Sequence, residues 1–144
     1  MSNGIMFHHF HGKEFPKVQG SIDKFEFLKI IDYLKKKKDI ITPEEFLNII
    51  IKKKIKSNKI CLTFDDGIKS QKKLILPILD RLNIKAFFFI YTSILKGETD
   101  NLEYFRDFRC LSYKKIDTFY KDFYLNLKKI FPQKEKELYL KYNE

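Results

Sequence analysis

The sequence predicts an α/β fold on a parallel sheet, one that begins like a (β/α) barrel. Two apolar runs and the segment between them carry this expectation. Ile60-Cys61-Leu62-Thr63-Phe64 is almost wholly apolar or β-branched, and Lys85-Ala86-Phe87-Phe88-Phe89-Ile90-Tyr91 is a second such run. Runs without polar alternation fit strands covered on both faces, as parallel strands are. Between them Leu74, Ile75, Ile78, Leu79 and Leu82 recur at helical spacing. Strand, helix and strand in about 32 residues make a βαβ unit, with parallel strands and a right-handed crossover.

The other elements follow in chain order. Ile5-Met6-Phe7-His8 is short and apolar and reads as a first strand ending in histidines. A loop containing Gly12, Pro16 and Gly20 leads to Ser21, whose hydroxyl is placed to cap a helix. In that helix Ile22, Phe25, Leu28, Ile31 and Leu34 recur at three-residue steps, and Lys35 to Lys38 lie near the negative end of its dipole. Thr42-Pro43-Glu44-Glu45 is a helix start, combining a capping hydroxyl, a proline at the first helical position and a glutamate three residues after the cap. Phe46, Leu47, Ile50 and Ile51 form the expected buried stripe, and the helix should end near Lys54. Pro77 should bend the helix around it, because it removes a donor and crowds a carbonyl. Asn83 is a suitable left-handed stop. Beyond Gly97 the chain reads as helices starting near Leu102, Ser112 and Gln133. The expected organisation is a single domain over residues 1–144, with an α/β part at 5–95 and a helical part at 102–144.

Composition sets few limits. Hydrophobic residues at 44% and charged residues at 33% are those of a globular chain with a core, not of a disordered one. The net charge of +10 could serve a polyanion, but the lysines fall in helix-like segments without interleaved exposed aromatics. Solvated helix faces account for them, which argues against a nucleic-acid partner. Cys61 and Cys110 are too far apart for a close-spaced thiolate zinc motif or a disulfide framework, and both read as packing residues. The N-terminus lacks the pattern of a signal peptide, and no apolar run reaches the roughly 20 residues of a membrane helix. The expectation is a cytoplasmic chain without a membrane span.

The chemistry centres on Thr63-Phe64-Asp65-Asp66-Gly67. Two carboxylates directly after a buried strand stand where α/β folds gather catalytic groups. Adjacent side chains on such an edge point in different directions and can take different jobs, one holding a metal and one accepting a proton. Gly67 allows a sharp turn and the close approach of a ligand. A plain Asp-Gly turn is the structural alternative. Phosphatases of the haloacid-dehalogenase type also carry two aspartates after a strand, but one residue apart, so this pattern does not fit them.

Thr63-Phe64-Asp65-Asp66-Gly67 resembles the first motif of the NodB-type polysaccharide deacetylases, the family-four carbohydrate esterases. Ile5-Met6-Phe7-His8 resembles the family's opening strand. Ser70, Pro77-Ile78-Leu79 and Lys85-Ala86-Phe87-Phe88-Phe89 resemble the helix and strand after the motif, so the likeness runs over about residues 5 to 95. It implies part of a distorted (β/α) barrel and removal of acetyl groups from N-acetylated, less often O-acetylated, sugars. By the same resemblance Asp65 is the general base, Asp66 a ligand to a divalent metal, commonly zinc, and His8 lies near the site as a further candidate ligand. Gly67 is a candidate substrate contact.

The later motifs of that family are absent. No His-x-x-x-His pair follows, and the histidines are His8, His9 and His11. His9 and His11 read as loop side chains, and Arg106 and Arg109 lie outside the family's arginine motif. Two main readings stay open. One is the front part of an active deacetylase, with the remaining motifs encoded beyond Glu144; the other is a non-catalytic relative serving as a binding or vestigial module. A polyanion binder is a third, weaker reading.

Overall fold

The structure, a computed structural model, describes residues 3–53, 58–99 and 101–132. The chain divides into two compact units, Met1–Thr99 and Asp100–Glu144.

In the first unit the central strand is β3 (Lys59–Phe64), and every neighbour pairs with it in parallel. Along one edge runs β1 (Asn3–Phe7), in register from Asn3 opposite Ile60 to Phe7 opposite Phe64. The other edge is shared. β2 (Asp39–Ile40) pairs with the start of β3, and β4 (Phe87–Phe88) with its end. The βαβ reading therefore holds for β3 and β4. β2 is too short to leave an apolar signature and was not anticipated.

Helix α1 (Lys24–Lys37) starts two residues later than Ser21 would place it. Asp23 is the cap, accepting from the amides of Phe25 and Glu26 while Glu26 accepts from the Asp23 amide. These amide donors hold the Asp23 carboxyl below its ordinary range, the Glu26 amide contributing most. Ser21 instead closes the preceding loop on Val18 and His11. The buried face of α1 is Phe27 and Ile31, whereas Phe25 is exposed. Strict three-residue steps drift around a helix of about 3.6 residues per turn, so the predicted series could not stay on one face.

Helix α2 (Pro43–Ile51) has the expected start, with Thr42 and Glu45 exchanging both bonds of a capping box. Its apolar stripe is not buried as predicted, for Leu47, Ile50 and Ile51 are exposed. Phe46 alone makes a ring contact with the sheet, edge-on to Phe87. A nine-residue helix beside a narrow sheet has one contact line, and its second apolar flank stays uncovered.

After β3 the chain enters a wide π-type turn, Gln71–Ile75, which runs into α3 (Leu76–Arg81). Pro77 falls in the first turn of α3, where its missing N–H is least costly. Asn83 ends the helix with φ 50°. The run Lys85–Tyr91 forms a strand only at Phe87–Phe88, and Phe88, Phe89, Ile90 and Tyr91 are exposed. Among the described residues β4 pairs with β3 alone, and the exposure of Phe88 shows that the strand is not covered on both faces as expected.

The core sits between α1, α3 and the sheet, from Phe7, Phe10, Phe27, Ile31, Leu62, Phe64, Ile75 and Leu79. Four of these are phenylalanines in mutual contact. Phe27 meets Phe7 and Phe10 edge-on, and Phe64 stacks on Phe7. Each fully buried ring contributes about 1.5–3 kcal/mol.

The second unit contains α4 (Asn101–Ser112) and α5 (Ile116–Ile130), the latter starting after Ser112 rather than at it. Phe119 is its buried centre, with Phe105, Tyr113 and Phe123 packed around the ring. The helix expected from Gln133 lies outside the described residues. Among the described residues no helix is long and apolar enough to cross a membrane.

Candidate active site

β3 ends at Phe64, whose ring is buried, and the next two residues carry carboxylates. The β1–β3 ladder reaches one step further, with the Asp65 N–H donating to the Phe7 carbonyl at 3.2 Å. Then the backbone turns. Asp66 has φ 72° and Gly67 φ 63°. Consecutive left-handed residues after a strand make a sharp corner, and an aspartate tolerates that region better than most side chains. Gly67 has a further reason to lack a side chain, since a Cβ there would stand 3.3 Å from Ile90 Cγ2.

β1 and β3 are parallel and end at the same level, so the residue after β1 faces the residues after β3. His8 Nε2 lies 3.6 Å from Asp65 Oδ2 and 3.8 Å from Asp66 Oδ2. Both aspartates and His8 are half-buried, open enough for a ligand and shielded enough to strengthen charge interactions. Asp65 Oδ1 is buried without a hydrogen-bond partner, an acceptor aimed at something the protein does not supply. The structure thus brings His8, Asp65 and Asp66 together at the corner made by Gly67.

His9 lies in the loop after β1, as expected, and that loop also brings it near Asp66. One of its ring nitrogens lies within 4.8 Å of an Asp66 carboxylate oxygen, and its ring lies nearly parallel to that of His8. The signal was its position next to His8, at the point where extended backbone gives way to a loop. His11 is elsewhere, on Ser21 and near the cap of α1. Arg106 pairs with Glu103 within α4, as a helix-surface arginine does.

A divalent ion of the zinc type sits about 2.0–2.2 Å from its nitrogen and oxygen ligands, which places adjacent tetrahedral donors about 3.3–3.5 Å apart. His8 Nε2 and Asp66 Oδ2 need close only a few tenths of an ångström to share one. The donor set fits such an ion, though as fewer protein ligands than a closed structural site holds.

An α/β unit with a parallel sheet and a histidine–carboxylate cluster at the carboxyl edge of its central strand is the class that fold and site define. Residues 52–109 match the family model of polysaccharide deacetylases. Solved structures agree on the fold. The chain is similar to the de-N-acetylase from Aggregatibacter actinomycetemcomitans, at 19% identity and a TM-score of 0.55 over 69% of this chain and 41% of that one. It is similar to IcaB from Ammonifex degensii, at 25% identity and 0.51 over 62% and 37%. The Streptococcus pyogenes deacetylase PplD, solved in complex with acetate, matches at 19% and 0.51 over 69% and 46%. The chain therefore spans less than half the length of each. No curated protein matches it.

Proposed function

We propose that this chain supplies the front part of a metal-dependent deacetylase that removes acetyl groups from N-acetylated sugars of a polysaccharide or glycan precursor. The observation that supports it best is the meeting of His8, Asp65 and Asp66 at the carboxyl edge of β3, the two aspartates lying within the segment that matches the family model. Asp66, with His8 and His9 beside it, would hold the divalent ion, commonly zinc in this family. That ion supplies Lewis acidity toward the acetyl group and the attacking water. Asp65 accepts the proton that the water gives up as it adds to the acetyl carbon, and its second oxygen is free to orient that water. Gly67 leaves the sugar room to approach the corner. The products are acetate and the amino sugar.

The test is acetate release from an N-acetylglucosamine oligomer by this chain joined to the remaining motifs of the family, with metal measured in the same samples. Asp65→Asn should lower activity about a hundredfold or more with metal content near normal, because an amide keeps the shape but takes no proton. Asp66→Ala should lose metal and activity together. If Asp65→Asn loses the metal and Asp66→Ala keeps it, the roles are reversed. Two fully active variants would refute the reading. A second reading is a non-catalytic relative that keeps the fold. Sugar binding without acetate release by the completed protein would favour it.

A further inference from the structure

Gln71 is a buried polar residue of the first unit, 1% exposed. Its Nε2 donates to two backbone carbonyls, that of His8 at 2.8 Å and that of Asp65 at 2.6 Å. These belong to the residues just past the ends of β1 and β3, which are 57 positions apart in sequence and face each other across the site. The regular ladder stops at the bond from the Asp65 amide to Phe7. Beyond it the left-handed turn at Asp66 carries the chain away from the strand direction. One side-chain amide takes both carbonyls and adds a rung where the sheet has run out.

The local backbone delivers it there. Gln71 opens the π-type turn, with the Leu76 N–H donating to its carbonyl. Such turns carry an extra residue and re-aim side chains, often beside functional sites. Both partners are carbonyl oxygens, so the nitrogen must face them. The Oε1 is consequently buried with no partner. A core chosen for stability alone would place an apolar residue here and avoid that orphaned acceptor.

We propose that Gln71 is a positioning residue, a clamp that fixes the separation of His8 from Asp65 and Asp66 by holding the two strand ends from behind. It touches no reacting group. This inference rests on the reading of those three residues as the active site, and its test has an arm independent of that reading.

Gln71→Met keeps length and volume but removes both donors, and Ile75→Val, a small change in the same core, is the control. The first measurement is amide hydrogen exchange in the whole chain. In Gln71→Met the Asp65 amide should exchange about tenfold faster relative to the amides of Ile60 to Leu62, because local opening at the strand end is decoupled from the strand interior. The second is calorimetric titration with zinc, whose affinity should fall about ten- to a hundredfold in Gln71→Met and stay near that of the parent in Ile75→Val. Equal acceleration at Asp65 and along β3, or unchanged exchange at every amide, overturns the clamp. A parent chain that binds no zinc counts against the metal reading, while the exchange arm still decides the clamp. Should Gln71→Met fail to fold, Gln71→Glu replaces it: it keeps the shape but sets a carboxylate oxygen against the two carbonyls, and the same selective acceleration is expected.

Discussion

Asp66 shows how one dihedral angle makes a site from adjacent residues. In extended backbone Asp65 and Asp66 would project to opposite faces, and only one could meet His8. With φ 72° at Asp66 both carboxylates come within ion-pair distance of the same imidazole nitrogen. Sequence reasoning foresaw the sharp turn at Gly67, which has φ 63°, but not that it begins at Asp66. The cysteines offer a separate test at this scale. Burial pushes the Cys61 thiol up to about 11 from an ordinary value of 9.0, since its thiolate would be desolvated among apolar neighbours. The folded state then holds a proton that the unfolded state releases. Stability should be unaffected below pH 9 and fall as pH rises through the window from 9.0 to about 11. At pH 8 an alkylating reagent should modify half-buried Cys110 first and Cys61 only on unfolding. Equal rates at the two thiols in the folded chain would show that Cys61 is not sealed.

At the scale of elements, helix starts carry more information than helix faces. Thr42 and Glu45 close their capping box through local bonds within one turn, so residue identity alone specified it. Thr42→Ala should lower unfolding stability by about 1 kcal/mol, read from urea denaturation, with an unchanged denaturant slope. A loss below the error of the measurement would mean that α2 contributes nothing to the cooperative unit. Which side of α2 is buried depends on what lies beside it, and Leu47, Ile50 and Ile51 are exposed although their spacing is that of a buried stripe. The same limit acts on β4. Phe88 to Tyr91 have the composition of a covered strand, yet all four side chains are exposed.

For the whole molecule these uncovered surfaces have a joint consequence. The flank of α2 and the exposed run after β4 both belong to the first unit, and both are apolar. Unpaired strand edges and apolar patches recruit other chains. The chain as given should therefore self-associate with rising concentration, or melt broadly and at low temperature. Sedimentation velocity over a range of concentrations, with a thermal melt at each, checks this. A strictly monomeric sample with a sharp, concentration-independent melt would count against it. The matched part of this chain spans less than half of each solved deacetylase, and in a protein completed by their remaining motifs the association should disappear.

The α/β class, the parallel βαβ unit, the capping box at Thr42 and the motif around Asp65 were all legible in the sequence, because each depends on residues close together in the chain. The stop at Asn83 belongs with them, as a left-handed residue that asparagine favours. The short strand β2 was not legible, since two residues leave no periodicity to read. Nor was the company His9 keeps, or the part played by Gln71, whose bonds reach His8 across 63 positions. A glutamine in a helix start is by default a surface residue, and only the packing of β1 against β3 put this one in the core. Local bonding sets what each segment becomes, but which side chains meet at the ends of two strands is decided by long-range packing, and there the tertiary structure alone assembled the site.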